Sequence, residues 1–436
     1  MENKLNNLTL DSNLIKLAKA IAKNNGNLYI VGGYIRNYFL DLKNTDLDIC
    51  GDLTYDKVLE IALSLGFDAH IINKKLGTVL IKTDTDEYEY TTFRKENYTT
   101  GGAHSPTDVS FVSDIKLDAS RRDFSVNALY YNINTREILD FYEGLSDLSN
   151  KSLKCIKTPE EVFESDGLRI LRLIRIASEL GFDIEKHTKE CAKTYSHQLK
   201  DITPERVLKE LKKIVVSDFK YDTTPFKENF LDNFNYIQLF KHVLGPNFDN
   251  FKIKSNYRKN FFDLPKHFRY AGFCMLFLAN YFKFKHMPTP QVQWACNYIF
   301  GNSGLRDSAK DVTTIFASYS LIQEILFNNK SRYKHFLHNF YNADSEIKKF
   351  IEAFLPKEYA KIMLDIKLLL AKNVPLSFEE LNISNLELIN IARIDKHKTS
   401  KIKARLLLSC LNEDLANTKN NLIIEARYLN IKLENL

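Results

Sequence analysis

No Cys-x-x-Cys pair occurs anywhere in this chain. Its six cysteines stand apart, at Cys50, Cys155, Cys191, Cys274, Cys296 and Cys410. Neither a zinc site nor a disulfide framework is suggested by such spacing, and a reducing cytoplasm is the simplest setting. Long apolar runs are missing as well. The longest patch, Tyr270 to Phe282, is too short to span a bilayer, and the N-terminal M-E-N-K-L-N-N-L has no apolar signal core. A membrane partner is therefore not expected. Strong charge of one sign is absent too: a formal net charge of +6 over 436 residues permits a polyanionic partner without demanding one. No repeat period and no low-complexity segment is visible. What remains is an ordinary balance, 44% hydrophobic and 27% charged, able to bury a sizeable core. The length suggests about three domains.

The most informative stretch runs from Leu28 to Ile49, L-Y-I-V-G-G-Y-I-R-N-Y-F-L-D-L-K-N-T-D-L-D-I. Leu28 to Val31 reads as a short strand. Gly32-Gly33 breaks it, and Tyr34 to Leu42 has apolar residues at helical spacing. A polar turn then leads into a second strand, Asp46 to Cys50. Side chains two apart on a strand share a face, so Asp46 and Asp48 project side by side. Two such carboxylates repel unless a cation sits between them, and hard oxygen ligands suit Mg²⁺. The glycines let the backbone approach a ligand closely, amides leading into a helix form an anion site, and Arg36 lies on the first turn. A phosphate cradle beside a metal-binding acid pair is what nucleotidyl transfer needs. Asp-x-Asp by itself also describes many surface pairs.

Further along, Ala69 to Ile72, Thr78 to Thr83 and Glu87 to Arg94 read as strands. Glu89 is a third carboxylate if its strand neighbours the first acids, or else a solvated strand acid. Asn97 to Pro106 is a glycine-containing loop. In I-K-L-D-A-S-R-R-D-F-S-V-N-A-L-Y-Y, residues 115–131, paired Arg121 and Arg122 offer the donor forks that suit a triphosphate. Asp123 and Asn127 stand beside them, and Asn127 can bond a ribose hydroxyl. Arg-Arg-Asp is also a common surface ion cluster. Beyond about residue 150 helical periodicity dominates. Glu164 to Phe182 reads as one helix, on which Asp166, Arg169 and Arg172 sit three apart. An acid acceptor beside an arginine donor matches the Watson–Crick edge of a base, although a structural ion pair gives the same spacing. Thr203-Pro204 opens a further helix, and more are expected at Pro265 to Tyr281, Thr289 to Phe300, Arg306 to Phe327, Ser345 to Phe354, Pro356 to Ala371, Ser400 to Asn412 and Thr418 to Leu429. Lysines and aromatics interleave at Phe248 to Phe262 and Phe282 to His286, a pattern that suits RNA and ordinary amphipathic helices alike.

Taken in order, V-G-G-Y-I-R with D-L-D, Y-E-Y-T-T-F-R, R-R-D-F-S-V-N-A, D-G-L-R-I-L-R-L-I-R and T-P-E-R-V-L-K-E-L resemble the class II tRNA nucleotidyltransferases. These are the CCA-adding enzymes, with the related poly(A) polymerases. The resemblance is specific over about residues 25–215. It implies an α+β, polymerase-beta-like head with a small mixed sheet, followed by an all-α neck, body and tail. The expected spans are 1–150 for the head, 151–220 for the neck with the base-binding motif, 221–345 for the body and 346–436 for a tail that contacts tRNA. By the family pattern, Asp46 and Asp48 hold two Mg²⁺ ions with Glu89 as the third acid. Gly32, Gly33 and Arg36 meet the triphosphate, and Arg121, Arg122, Asp123 and Asn127 meet ribose and phosphates. Asp166 and Arg169 bond the edge of cytosine or adenine, Arg172 lies beside them, and the neck helix around Arg206 supports the pocket. The implied substrates are CTP, ATP and tRNA.

Several features depart from that pattern. Ser165 stands where the base-selecting motif usually has glutamate, and Asn37 where the first glycine motif usually has aspartate. The loop that the family links to the switch from C to A addition carries Thr100, Gly101, Gly102 and His104 instead of an acid and an arginine. No His-Asp doublet occurs, so the metal-phosphohydrolase domain of some relatives is not expected. Lys75-Leu76-Gly77-Thr78 replaces the basic run of bacterial poly(A) polymerases. The competing readings are a CC-adding, A-adding or poly(A)-adding relative, a nucleotidyltransferase for a small molecule, and an RNA-binding protein without activity.

Overall fold

The computed structural model describes residues 8–43, 47–97, 106–221, 229–244, 255–281, 294 and 333–434. They fall into two compact units that divide near residue 251.

The first unit begins with helix α1 (Ser12–Lys23). Asp11 caps it, accepting from the amides of Asn13 and Leu14. Leu14, Leu17, Ala18 and Ile21 are buried along one face. Next come β1 (Leu28–Val31), α2 (Gly33–Phe39), β2 (Asp48–Gly51), α3 (Tyr55–Ser64), β3 (Asp68–Asn73), β4 (Thr78–Lys82) and β5 (Glu87–Thr92). A ribbon of β6 (Arg94–Asn97) and β7 (Asp108–Phe111) follows, then α4 (Ile115–Ser120), β8 (Leu129–Asn132), β9 (Ile138–Asp140) and α5 (Gly144–Ser149). Residues 98–105, most of the expected loop, lie outside the described residues.

The main sheet is seven-stranded, in the order β3-β4-β5-β2-β1-β8-β9. All its neighbours are antiparallel except β2 and β5, which run parallel. The expected small mixed sheet with helices is therefore present. Both faces of its centre are covered. Ile30 and Ile49 are buried on one, while Tyr29, Val31 and Cys50 pack with Phe93, Ala119 and Tyr130 on the other. Burial on both faces explains why β1 is apolar at every position rather than alternating.

Helices take over after a short β10 (Ser152–Leu153), which pairs with β11 (Asp183–Ile184). They are α6 (Pro159–Ser165), α7 (Leu168–Leu180), α8 (Lys186–Thr194), α9 (Pro204–Ile214), α10 (Asn229–Ile237) and α11 (Leu239–Leu244). The sequence reads Glu164 to Phe182 as one helix. The chain instead breaks between α6 and α7, where Asp166 is extended, with φ −153° and ψ 103°. Helix α7 packs on α9, and α6 packs on α8.

In the described residues the second unit is helical. Ser345–Phe354 and Pro356–Ala371 match the expected spans, and Arg269–Tyr281, Thr399–Leu411 and Lys419–Glu434 lie within a few residues of them. Short helices at Ser255–Asp263, Tyr333–Tyr341 and Asn385–Asn390 have weaker sequence signals. Expected helices at Thr289 to Phe300 (apart from Trp294) and Arg306 to Phe327, with the aromatic run Phe282 to His286, lie outside the described residues. Among the described residues no helix is long and apolar enough to cross a membrane.

Candidate active site

The site grows from the bend after β1. Gly32 has φ +77°, a conformation that costs a side-chain-bearing residue energy and glycine nothing. A Cβ placed there would lie 3.7 Å from Asp48 Oδ2, so the carboxylate of β2 sits directly over the glycine bend. The register accounts for this: Val31 is opposite Asp48 on one side, and Glu89 of the parallel β5 is opposite Asp48 on the other. Neighbouring residues in register share a face, which puts the Asp48 and Glu89 carboxyls side by side. Glu89 binds its proton more tightly than an ordinary glutamate. Desolvation on the sheet raises it first, Asp48 adds to the effect, and Arg94 opposes it. Two aligned carboxyls that hinder each other's ionisation are a donor set that a divalent cation would satisfy. Asp46 lies outside the described residues.

Arg36 is buried in the first turns of α2. Its guanidinium donates to Asn127 Oδ1 at 2.6 Å and twice to Asn37 Oδ1, at 3.1 and 2.9 Å. Asn37 in turn donates to the Tyr221 hydroxyl at 2.8 Å. Among the described residues no carboxylate forms an ion pair with Arg36, and burial lowers its proton affinity. An arginine held by neutral amides keeps its positive field for a ligand.

The Arg121-Arg122 pair does not lie on the surface. Both arginines are fixed by Asp118, one helical turn earlier and fully buried. Arg121 Nε donates to Asp118 Oδ1 at 2.8 Å, and Arg122 Nη2 lies 3.2 Å from Oδ2. The Tyr130 hydroxyl also donates to Asp118. Burial alone would raise that carboxyl, but the two arginines and the phenol hold it at about 2. Asp123 acts as a joint. It accepts from Asn127 at 3.1 Å, from the Phe124 amide at 2.8 Å, and from Arg172 Nε and Nη2 at 2.8 and 2.6 Å. Burial works against ionisation here too, and Arg172, Asn127 and Arg169 together hold Asp123 well below the usual carboxylate range. The segment that follows α4 is thereby tied to α7.

Asp166 occupies the break before α7. Its Oδ1 accepts from the Leu168 amide at 3.0 Å, and its Oδ2 lies 3.5 Å from Arg206 Nη2 of α9. Arg169 donates to Ser165 Oγ at 3.2 Å and to the Arg121 carbonyl at 2.7 Å. Ser165, where the family motif has glutamate, thus gives Arg169 a neutral acceptor.

Most of these groups border one open cleft of about 470 Å³. It brings together Gly32, Gly33, Arg36, Asp48, Arg121, Arg122, Asp123, Asn127, Asp166, Arg169 and Arg172. Glu89 adjoins Asp48 on the sheet but does not border the cleft. Eight arginines and a lysine line it against four carboxylates, an excess that matches a polyphosphate. Asp118, Arg94, Glu96, Arg175, Lys220 and Tyr221 were not singled out from sequence. For Asp118 the signal was there, an acid three and four residues before the arginines on a helix.

The chain is similar to known proteins in sequence and in fold. The poly A polymerase head domain family matches residues 28–154, and the family described as a probable RNA and SrmB-binding site of polymerase A matches residues 181–223. A CCA-adding enzyme of Staphylococcus epidermidis is 33% identical over 226 residues, 52% of this chain and 54% of that protein. One of Streptococcus uberis is 37% identical over 224 residues, 51% and 54% of the two chains. The chain thus spans about half the length of the curated relatives it matches. The fold extends further: the Bacillus stearothermophilus CCA-adding enzyme in complex with CTP superposes with a TM-score of 0.67 at 19% identity, covering 97% of this chain and 98% of the other. The Thermotoga maritima CCA-adding enzyme complexed with tRNA gives 0.64 at 18% identity, covering 98% of each chain. Residues 28–154 thus match the poly A polymerase head domain, and the half of the chain that carries the cleft is similar in sequence to CCA-adding enzymes.

Proposed function

We propose that this protein adds C, C and A to the 3′ end of tRNA from CTP and ATP, without a nucleic-acid template. The terminal 3′ hydroxyl attacks the α-phosphate in line, and pyrophosphate leaves. One observation carries the reading. A single cleft has the Asp48 carboxylate over a glycine bend at one place and the Asp166–Arg169 turn at another, with arginines lining it.

Asp46 and Asp48 are the residues that would hold Mg²⁺, with Glu89 as the third acid. When bound, the ion lowers the pKa of the attacking hydroxyl and neutralises charge on the leaving group. The protein's own part is positioning. Gly32 and Gly33 leave room for the triphosphate, and Arg36, Arg121 and Arg122 attract it. Asn127, already oriented by Arg36 and Asp123, faces the ribose. Asp166 and Arg169 read the base edge, which makes the protein the template. We divide the chain for these tasks into a head to residue 150, a neck to 220, a body to 345 and a tail that contacts tRNA. We propose a reducing cytoplasm as the setting, in keeping with Cys50, Cys155, Cys191, Cys274 and Cys410 being buried free thiols.

The decisive experiment supplies tRNAs ending before C74, before C75 and before A76 with one nucleotide at a time, and sequences the products. Addition of C, then C, then A, with GTP and UTP refused, is expected. Failure at the last step alone would reassign the protein as a CC-adding relative, and uniform A-tailing would make it a poly(A) polymerase.

A further inference from the structure

Away from the cleft, three donors of different kinds meet where α6 packs against α8. His187 and Cys191 lie one turn apart on α8, and Glu160 lies in the first turn of α6. Cys191 Sγ is 3.1 Å from Glu160 Oε1 and 3.7 and 4.0 Å from the two ring nitrogens of His187. His187 Nε2 is 3.4 Å from the same Glu160 oxygen. One ligand atom from each residue lies within 4.8 Å of the others. A tetrahedral zinc ion, with bonds of about 2.3 Å to sulfur and about 2.0–2.1 Å to nitrogen or oxygen, holds its donors about 3.3–3.6 Å apart. The three edges here bracket that range, so shifts of a few tenths of an ångström would complete the geometry.

Two alternatives fit less well. A catalytic thiol needs a cationic neighbourhood that lowers its pKa. Burial, and then the Glu160 carboxylate against it, push the Cys191 thiol up to about 12. A plain hydrogen-bonded cluster would need none of the solvent access that is present: the thiol is buried, but His187 and Glu160 remain partly open, with side-chain exposures of 58% and 43%. That grading lets an ion reach the three donors from solvent.

We propose that Glu160, His187 and Cys191 form a binding site for Zn²⁺ or a similar borderline divalent ion, completed by water. Thiolate and imidazole favour such an ion over Mg²⁺, so the site is chemically distinct from the all-oxygen corner at Asp48. It fastens α6 to α8. Because α6 ends at Ser165, bound metal steadies the turn that carries Asp166. The absence of Cys-x-x-Cys did not reveal it, because the third donor comes from another helix.

Cobalt(II), which substitutes for zinc and reports thiolate ligation by a near-ultraviolet charge-transfer band, tests the proposal on the full-length protein. One equivalent is expected to bind with that band, to be displaced by zinc, and to bind more tightly at pH 8 than at pH 6 because the thiol must release its proton. Cys191→Ser should abolish the band. His187→Ala, a change at an exposed position, should weaken binding at least tenfold, and Asp48→Ala should leave the band intact. A titration to millimolar cobalt with no thiolate band, or a band that survives Cys191→Ser, overturns the site.

Discussion

At Asp48 one carboxylate stands over a bend that only glycine adopts freely. Asp48→Ala should lower the single-turnover rate by roughly a thousandfold or more, beyond the 10- to 100-fold typical of a residue that only orients a ligand, with an unchanged melting temperature. A variant with normal turnover would refute the assignment. Asn37 makes a second test. Its amide oxygen accepts twice from the buried Arg36, and a charge-assisted pair is worth more than a neutral one. Asn37→Asp should therefore raise stability by on the order of 1 kcal/mol and weaken CTP binding, as the guanidinium gains a competing anion. Urea unfolding and nucleotide titration read the two effects. These residues differed in how far sequence revealed them. Asp48 and the glycine pair stood out, because strand alternation and a glycine break are local signals. Glu89 needed strand order, which no local pattern contains. Asp118 was passed over because a buried acid beside two arginines looks, on paper, like a surface ion pair.

Helix α7 shows how an element acquires its role. Its apolar stripe was clear in the sequence, but its start was not: the extended Asp166 interrupts what reads as a continuous helix. That interruption frees the Asp166 carboxylate from helical geometry and brings it to Arg206. Asp166→Ala and Arg169→Ala should relax the preference for CTP and ATP over GTP and UTP more than they reduce metal binding, as competition assays measure. Helix α4 delivers Asp118 to the arginines, and its effect on stability depends on pH. The folded carboxyl titrates at about 2, below its ordinary unfolded value of about 3.9. Its contribution is therefore fully present above pH ~4 and is lost as the pH falls from there towards 2. The amount is on the order of 2 kcal/mol. Urea midpoints measured from pH 6 to pH 2 should fall through that window in the native protein, and Asp118→Asn should flatten the fall.

At the scale of the chain, residues 25–215 were the most legible because their motifs follow one another in a fixed order. The helical remainder was legible only as periodicity, since any amphipathic helix meets the same pattern and short ones such as Tyr333–Tyr341 leave little trace. The cleft, bordered by eight arginines and a lysine, sits on a chain whose formal net charge is only +6, so its positive field is local. The proposed binding of tRNA through its phosphates would release counterions. Raising KCl from 50 to 200 mM should weaken tRNA affinity by about tenfold or more, as filter binding or anisotropy would show. Salt-independent binding would remove phosphate contacts from the account.

The parallel match of Asp48 with Glu89 has one more consequence. Distance between groups on adjoining strands changes in whole residues, never by degrees, and each single step turns a side chain to the opposite side. Adding one residue to β5 ahead of Glu89 would leave the sheet hydrogen-bonded and the helices folded, yet send that carboxyl away from its partner. Substitutions can tune this corner gradually, whereas insertions and deletions can only switch it off.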